Sequence, residues 1–259
     1  MESPASILPL FARREAMLVL LRDEPRSKSE LVDSLDVSRS TIDRGIRELE
    51  SSDLVQRVDG GFQLTLSGRL LLTEYERYRE CATGVVRSQA LLTALPTDTD
   101  LDPAALCGAS VTLADRTAPY RPAEEYLEYV RTADHVDHVT TALSPQYVEG
   151  FREAIVDHGV EVRLAATESI SRRLVTGHSD TLAELFESGR LTMRELDTSP
   201  AFSLGIVERG DRVSAHYLVY ADDGIRGRIE TAHPDAAAVA GETFEQYWAT
   251  GTTVGGAER

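Results

Sequence analysis

The chain has 259 residues, and its 43 aspartate and glutamate residues outnumber its 27 lysine and arginine residues, for a formal net charge of −16. This length is sufficient for two domains with separate hydrophobic cores. No apolar run approaches the length of a membrane span, and the N-terminus lacks a basic start followed by an apolar stretch. We therefore expect a cytoplasmic protein that neither spans a membrane nor is secreted.

Cys81 and Cys107 are the two cysteines of the chain. Two cysteines are too few for a disulfide framework, and they do not form a C-x-x-C motif. We expect two incidental thiols. The chain contains no P-loop, G-x-S-x-G or dinucleotide-binding motif, so no cofactor is predicted.

Three helices are predicted near the N-terminus, the first over residues 12–22. Ser27 and Glu30 have the S-x-x-E spacing of a capping box, which satisfies free backbone amides at the start of the second helix. Ser38 is well placed as the N-cap of the third helix, predicted to run to about Glu50. The apolar residues of that helix recur at i, i+4 and i+7 and form one inward-facing stripe: Ile42, Ile46 and Leu49.

The outward side of the third helix carries hydroxyl and guanidinium groups. Two segments of alternating apolar and polar residues follow, Leu54–Val58 and Phe62–Leu66, separated by Asp59, Gly60 and Gly61. Because glycine accepts positive φ without steric cost, this turn predicts a β-hairpin.

Three helices followed by a hairpin resemble the winged helix-turn-helix of prokaryotic transcription regulators, over about residues 12–68. The resemblance implies that double-stranded DNA is the partner, that the helix from Ser38 is the recognition helix and that the Asp59–Gly61 turn is the wing tip. The implied DNA-binding residues are Ser38, Arg39, Ser40, Thr41, Arg44, Arg47, Arg57, Gly60 and Gly61. Those expected at base edges or flanking phosphates are Ser40, Thr41, Arg44 and Arg47, and those expected on the DNA backbone are Arg39 and Arg57. The alternative is a protein–protein interaction module without DNA binding, because a fold does not specify a function.

The negative charge is unevenly distributed along the chain. Residues 1–80 hold 12 basic and 15 acidic residues, a net charge of −3, which leaves −13 for the rest. Lys28 is the one lysine, and an acidic, lysine-poor chain is typical of a high-salt, haloarchaeal cytoplasm. In molar salt the Debye length is about 3 Å, so repulsion between DNA and the acidic region is screened. The acidity therefore does not exclude DNA binding.

A long helix is predicted from about Arg69 to Leu95, with Gly84 as a point where it can break. Its apolar residues recur over a length that a small winged helix cannot cover. We interpret it as a connector and dimer helix, since a homodimer matches a palindromic operator. The alternative is that the stripe packs on the C-terminal domain. The acidic segment Pro96–Pro103 is the expected domain seam.

Strands and helices alternate from about Leu106 onward, which predicts a multi-domain α/β protein with a mixed sheet in its C-terminal domain. The predicted strands are residues 111–114, 135–143, 160–165, 191–196, 203–208, 213–220 and 226–231. The predicted helices are residues 122–133, 144–158, 169–175, 181–188 and 234–248. Turns are predicted at residues 209–211 and 222–224. The expected domains are a winged helix-turn-helix over 1–68, a linker and dimerisation helix over 69–95, and a regulatory α/β domain over 104–251.

The segments LSPQYVEGFREAIVDHGVEVRLAAT, SLGIVERGDRV and ETAHPDAAAVAGETFEQYWATG resemble the regulatory domain of archaeal winged-helix regulators, a family that includes methanogen filamentation regulators. The resemblance covers about Leu106 to Gly251. It implies a phospholipase D-like fold, without the catalytic motif, that senses a small-molecule effector or a partner. It names no ligand, so the effector-binding residues are unknown. The two resemblances together imply a sequence-specific DNA-binding transcriptional regulator.

Catalysis and metal binding are not expected in this domain. The phospholipase D reaction needs an H-x-K motif, and no lysine follows residue 28. His135 and His138 are three positions apart on a predicted strand, where their side chains point to opposite faces, so no metal site is predicted. Four aromatic residues are interpreted as core, with the lining of an effector pocket as the alternative: Tyr217, Tyr220, Tyr247 and Trp248.

Overall fold

The computed structural model describes residues 4–221 and 224–255 and divides the chain into two compact units, Met1–Arg79 and Glu80–Arg259. The long helix α4 (Leu66–Leu92) contributes its first part to one unit and its last part to the other. Within the described ranges, no helix is both long enough and apolar enough to cross a membrane. The finer three-part division expected from the sequence remains a prediction.

The first unit is a small helical domain with one hairpin. In chain order its elements are α1 (Pro4–Leu20), α2 (Lys28–Leu35), α3 (Arg39–Ser51), β1 (Val55–Val58) and β2 (Gly61–Leu64), followed by α4. The two strands pair antiparallel, with Val55 opposite Leu64. Three helices and a hairpin confirm the predicted winged-helix architecture.

Local sequence starts α2 and α3 where it was predicted to do so. The Ser27 Oγ accepts a hydrogen bond from the Glu30 amide at 3.3 Å, and the Glu30 carboxylate accepts one from the Ser27 amide at 2.7 Å. This reciprocal pair is the predicted capping box. Asp36, at a left-handed φ of 53°, ends α2. The Ser38 Oγ accepts a hydrogen bond from the Thr41 amide and caps α3.

Tertiary packing moves two of the predicted boundaries in this unit. The helix α1 begins at Pro4 rather than at residue 12, because Leu10 and Phe11 are buried in the core of the unit. The helix α4 begins at Leu66, which was placed in the second strand but is exposed and contributes nothing to the hairpin core. The expected break at Gly84 is absent from α4.

The second unit is built on an eight-stranded sheet with the order β10-β6-β5-β4-β7-β8-β9-β3. Its strands are β3 (Ser110–Leu113), β4 (His135–Thr140), β5 (Glu161–Thr167), β6 (Leu191–Leu196), β7 (Ser203–Arg209), β8 (Arg212–Ala221), β9 (Gly224–Thr231) and β10 (Thr252–Val254). β4, β5 and β6 are parallel, and the other described pairings are antiparallel. This confirms the predicted mixed sheet. The strand β10 was not predicted, because three residues are too few to show a period of two.

Helices cover both faces of this sheet. They are α5 (Arg121–Arg131), α6 (Pro145–Arg152), α7 (Glu168–Gly177), α8 (Ser179–Glu187) and α9 (Pro234–Thr250). The helices α5 to α8 bury Tyr126 and Val136 on one face. The helix α9, the short 3-10 helix Pro103–Leu106 and the end of α4 cover the other face, where Leu91 is buried. The alternative that the α4 stripe packs on the C-terminal domain therefore holds for its last turns.

The helix predicted over residues 144–158 consists of two parts. Ser144 caps it and Pro145 is its first residue, as predicted. The α-helix α6 ends at Arg152, and the chain continues as a π-helical segment, Glu153–Asp157, before Gly159 turns it at a φ of 77°. Of the turn predicted after β8, Asp222 and Asp223 lie outside the described residues.

Cys81 of α4 and Cys107 form a disulfide, so the expectation of two incidental thiols is wrong. The two residues are 26 positions apart in sequence. The backbone of Gly84 lies so close to Leu106 that an added Cβ would overlap the Leu106 carbonyl. This close approach brings the two cysteines together, and their spacing in sequence does not reveal it, because disulfide formation depends on the geometry of the folded backbone.

Candidate nucleic-acid interface

The helix α3 is anchored by one side. Ile42, Ile46 and Leu49 are completely buried, which confirms the inward-facing stripe. Gly45 lies against α1, where an added Cβ would approach the Met17 Cε to 2.7 Å. This close contact fixes the rotation of α3 and leaves its opposite side at the surface.

The predicted DNA-binding residues of α3 and its N-cap are all exposed: Ser38, Arg39, Ser40, Thr41, Arg44 and Arg47. Asp43, which was also predicted on the outward side, is half-buried. The Arg47 Nε donates to the Asp43 carbonyl oxygen at 3.0 Å, so this guanidinium lies along its own helix. Arg44 is one turn from Ser40 and from Arg47, in the middle of the exposed side. The structure brings these side chains together on one surface, whereas their contact with DNA remains a prediction.

The first turn of α3 presents three hydroxyl groups that are hydrogen-bonded to one another. The Ser38 Oγ lies 2.9 Å from the Ser40 Oγ and 2.8 Å from the Thr41 Oγ1. The free amides of a helix N-terminus carry partial positive charge, which favours an anion such as a phosphate. These hydroxyl groups can rotate their hydrogens away from one another and toward such an anion.

Two acidic residues of α3 are paired with cations from neighbouring helices. The Lys28 Nζ lies 2.6 Å from the Asp43 Oδ1, and the Arg14 Nε donates to Glu48 at 2.9 Å. The hydrogen bond from Lys28 lowers the pKa of the Asp43 carboxyl, and the charges of Lys28, Arg39 and Arg47 act in the same direction. Pairing these carboxylates reduces their repulsion of a polyanion and leaves the arginines as the dominant charge of this side.

The hairpin turn has the backbone that its glycines were predicted to allow. Gly60 and Gly61 have φ angles of 91° and 147°. A Cβ on Gly61 would overlap the carbonyl of Arg26, which pairs with Phe62 in an isolated antiparallel bridge. Gly60 is exposed at the tip, and Arg57 is exposed on β1. The arrangement is a wing with one guanidinium on its outer surface.

Lys28 is a residue of this surface that the sequence analysis did not place there. Besides its ion pair with Asp43, its Nζ lies 5.6 Å from the centre of the Phe62 ring on the wing. Its position directly after the N-cap Ser27, at the start of the helix that precedes α3, is the sequence feature that indicates this location.

The histidine pair of the second unit is separated as predicted. The His135 Nε2 lies 2.8 Å from Asp137, which also accepts two hydrogen bonds from Arg163. His138 points to the other face, where its Nδ1 lies 3.0 Å from the Tyr126 hydroxyl. Within the described ranges, no group of three residues is arranged to hold a metal ion.

The four aromatic residues interpreted as core contribute to packing. Tyr217 is buried, and Trp248 stacks on Phe244 with ring centres 5.5 Å apart. Tyr247 packs against the same core, and Tyr220 donates a hydrogen bond to the Tyr147 hydroxyl. These contacts confirm the core interpretation for Tyr217, Tyr247 and Trp248.

Two family models match the chain. The N-terminal domain of HVO_A0261 matches residues 3–87, and the middle domain of the methanogenesis regulatory protein FilR1 matches residues 119–250, about half of the chain. The chain belongs to the FilR1 family of regulatory proteins. This confirms the family that the segments of the C-terminal domain resemble. No curated protein sequence matches the chain.

Several solved structures are similar to the chain at low sequence identity. TrmBL2, described as an archaeal chromatin protein with a novel mode of DNA binding, is 14% identical over 97% of this chain and 100% of its own, with a TM-score of 0.45. Nuc, a phospholipase D family member from Salmonella typhimurium, is 15% identical over 57% of this chain and 98% of its own, with a TM-score of 0.44. NucT from Helicobacter pylori is 8% identical over 56% and 98%, with a TM-score of 0.46. At these identities no residue role is transferred.

Proposed function

We propose that this FilR1-family protein is a sequence-specific transcription regulator that lays the outward side of α3 in the major groove of DNA and its wing on the backbone. The observation that carries the proposal is the division of α3 into two sides. Its apolar side is completely buried, and its other side exposes arginines and hydroxyl groups while Asp43 and Glu48 are paired. Arginine and hydroxyl side chains on an exposed helix are the groups that read base edges and phosphates.

The test compares two arginines of the first unit by gel shift in molar KCl, with duplexes selected from a random pool. If Arg44 reads a guanine, Arg44→Ala reduces discrimination between selected and random duplexes by about 1–3 kcal/mol, roughly 5- to 150-fold. Arg13→Ala, on the exposed side of α1, is the matched control and is expected to retain discrimination. Equal discrimination by both variants would refute the role of Arg44.

The wing arginine is expected to behave differently from the helix arginine. Arg57→Ala removes a contact to the DNA backbone, so we expect weaker binding to all sequences about equally. We also expect the slope of log affinity against log salt concentration to become smaller by about one. The measurement is the affinity for random DNA as a function of KCl concentration. Unchanged affinity would argue against a wing contact. Absence of any DNA binding by the wild-type protein would favour the protein-interaction module.

The proposed regulator acts as a homodimer through α4. Leu71, Tyr78 and Val85 recur every seven residues and are exposed, as is Val86, which is 70% exposed. A stripe with this period on a long helix can pair with the same stripe of a second copy. Two copies related by a twofold axis would match a palindromic operator.

The dimer is tested by light scattering on the full chain. Tyr78→Glu places a charge in the stripe and is expected to shift the protein from dimer to monomer at micromolar concentration. Tyr120→Glu is the matched control, since Tyr120 is 61% exposed and Tyr78 is 60% exposed. A dimer that survives in Tyr78→Glu would show that α4 is not the interface.

The second unit of the proposed regulator is a sensor of an effector rather than an enzyme. His138 and His216 flank Gly205 on neighbouring strands, and burial lowers the pKa of both imidazoles. Each already has a side-chain partner, because Tyr126 contacts His138 and the Arg228 Nη1 donates to His216 at 3.0 Å. We expect the wild-type protein and His138→Ala to hydrolyse bis(p-nitrophenyl) phosphate at the same background rate. Hydrolysis that depends on His138 would contradict the proposal that the second unit is a sensor rather than an enzyme.

A further inference from the structure

A small cavity lies between the sheet and the helices α6, α7 and α8 of the second unit. Its volume is about 50 Å³, and its floor is formed by His138 and Thr140 of β4 and by Leu164 of β5. Leu164 is on a central strand beneath a layer of helices, yet it is only partly buried. A side chain in that position keeps accessible surface because the packing above it is incomplete.

The lining of this cavity is apolar and uncharged. None of the described residues that line it carries a carboxylate, an ammonium or a guanidinium group, and most are leucine, valine, isoleucine or aromatic. His138, which is 3% exposed, is neutral because burial lowers its pKa to about 4. A charged ligand would lose its hydration here without gaining an opposite charge. An uncharged ligand with an apolar body does not meet this cost.

Two residues of the cavity lining, Thr140 and Tyr147, carry hydroxyl groups. The Thr140 Oγ1 donates its hydrogen to the Ala142 carbonyl oxygen at 2.7 Å, so its lone pairs remain able to accept. The Tyr147 hydroxyl accepts a hydrogen bond from Tyr220 at 3.0 Å, so its own hydrogen remains able to donate. Both residues are more than nine-tenths buried. One donor and one acceptor suit a single hydroxyl group.

One wall of the cavity has an irregular backbone. Ile155 lines the cavity from within the π-helical segment Glu153–Asp157. Single π-helical turns inside α-helices are frequent at functional sites, because they place a side chain where a regular helix would not. Here the irregular turn carries Ile155 to the cavity, next to Phe151 of α6.

We propose that this cavity binds a small uncharged molecule with a short apolar body and one hydroxyl group. The hydroxyl lies between Thr140 and Tyr147, and the apolar body contacts Leu164 and Phe151. The effector role of such a ligand rests on the proposed regulatory function, whereas its binding to the cavity does not.

The probe is ethanol, with acetate as a charged molecule of the same carbon skeleton. Binding to the full-length protein is measured by saturation-transfer NMR titration. We expect the alcohol to bind at least tenfold more tightly than the carboxylate. Ala142→Leu fills the cavity from its rim and is expected to weaken alcohol binding at least tenfold. Ala183→Leu, on the exposed side of α8, is the matched control and is expected to bind like the wild type.

A second variant removes the hydroxyl contact without changing the volume. Thr140→Val is expected to weaken alcohol binding about fivefold, the effect of one lost hydrogen bond. Absence of alcohol binding to the folded wild-type protein, equal binding of alcohol and carboxylate, or wild-type binding by Ala142→Leu would each overturn the proposal.

DNA affinity with and without the alcohol separates this proposal from the regulatory one. Alcohol binding at the cavity with unchanged DNA affinity would contradict the effector role and support the cavity site. DNA binding without alcohol binding would support the regulator and overturn the cavity site.

Discussion

The two units differ in where their polar and charged residues lie, at the surface in the first and in the interior in the second. In the first unit, arginines and hydroxyl groups lie on the exposed side of α3, and the interior is apolar. In the second unit, histidines, tyrosines and an arginine lie inside, among strands β4, β8 and β9 and the helix α5. The first unit exposes its polar groups at the surface, whereas the second buries them.

The interior network of the second unit is centred on Arg228, which is 4% exposed. Its Nη2 lies 2.9 Å from Glu125 and 3.2 Å from Glu230, and its Nη1 donates to His216. Residues from β8, β9 and α5 thus meet around one charge. Such a network depends on every partner being present, because an unpaired buried charge is costly. The exposed arginines of α3 do not depend on buried partners in this way.

The largest expected effect is on this network. Arg228→Ala leaves Glu230 without its cation and Glu125 with Arg121 alone, and we expect the free energy of unfolding of the second unit to fall by about 3 kcal/mol. The measurement is denaturant unfolding followed by the fluorescence of Trp248, the single tryptophan of the chain. Arg209→Ala, at the exposed end of β7, is the control and is expected to cost less than about 0.5 kcal/mol. Equal losses in the two variants would remove the distinction between interior and surface arginines.

A smaller effect is expected from acidification. Burial lowers the pKa of His138 to about 4 from its ordinary value of 6.5, so between these values the unfolded chain binds a proton that the folded chain does not. The free energy of unfolding therefore falls as pH falls through this window, by about 2 kcal/mol between pH 7 and pH 5. His216 acts in the same direction, because burial lowers its pKa. His135 acts in the opposite direction, since its hydrogen bond with Asp137 raises its pKa.

The contribution of His138 is isolated by comparing variants. His138→Gln does not titrate and is expected to lose about 2 kcal/mol of the change in unfolding free energy between pH 7 and pH 5. His158→Gln, at an exposed position, is expected to retain the wild-type change. The measurement is the same Trp248 unfolding curve at both pH values. A wild-type pH dependence in His138→Gln would show that this histidine is not held neutral by burial.

The smallest expected effect tests whether the N-cap of α2 stabilises this helix in the first unit. Ser27→Ala removes the N-cap of α2, and we expect a loss of about 1 kcal/mol in its stability. The measurement is amide hydrogen exchange in α2. Ser34→Ala, at an exposed position of the same helix, is the control and is expected to change exchange little. Equal effects of the two substitutions would mean that α2 is stabilised by packing rather than by its cap.

The first unit was predictable because its signals are local. The capping box at Ser27, the N-cap at Ser38 and the glycines at the wing tip each act over a few residues, and each has the predicted geometry. The start of α1 was missed because the burial of Leu10 depends on elements distant in sequence. For the same reason the sequence alone did not place Lys28 at the surface of α3 and the wing.

The second unit was predictable in element order but not in its interior. Alternating strands and helices indicated a mixed sheet, and the strand Leu191–Leu196 has the predicted limits. Cys81 and Cys107 were wrongly predicted to be incidental thiols, and the π-helical turn at Glu153–Asp157 was not predicted at all. Both depend on how a helix approaches other elements, which no local period encodes.

By itself, the sequence determined the class of the two units, the caps and turns of the first, and the side of α3 that faces outward, because these follow from periods and spacings of a few residues. Only the tertiary structure decided which polar residues meet inside the second unit. His138, His216 and Arg228 are brought together by the pairing of β4 with β7, which lies far along the chain, and of β7 with β8 and β8 with β9. Strand pairing sets their distances, and with them the burial that keeps the histidines neutral.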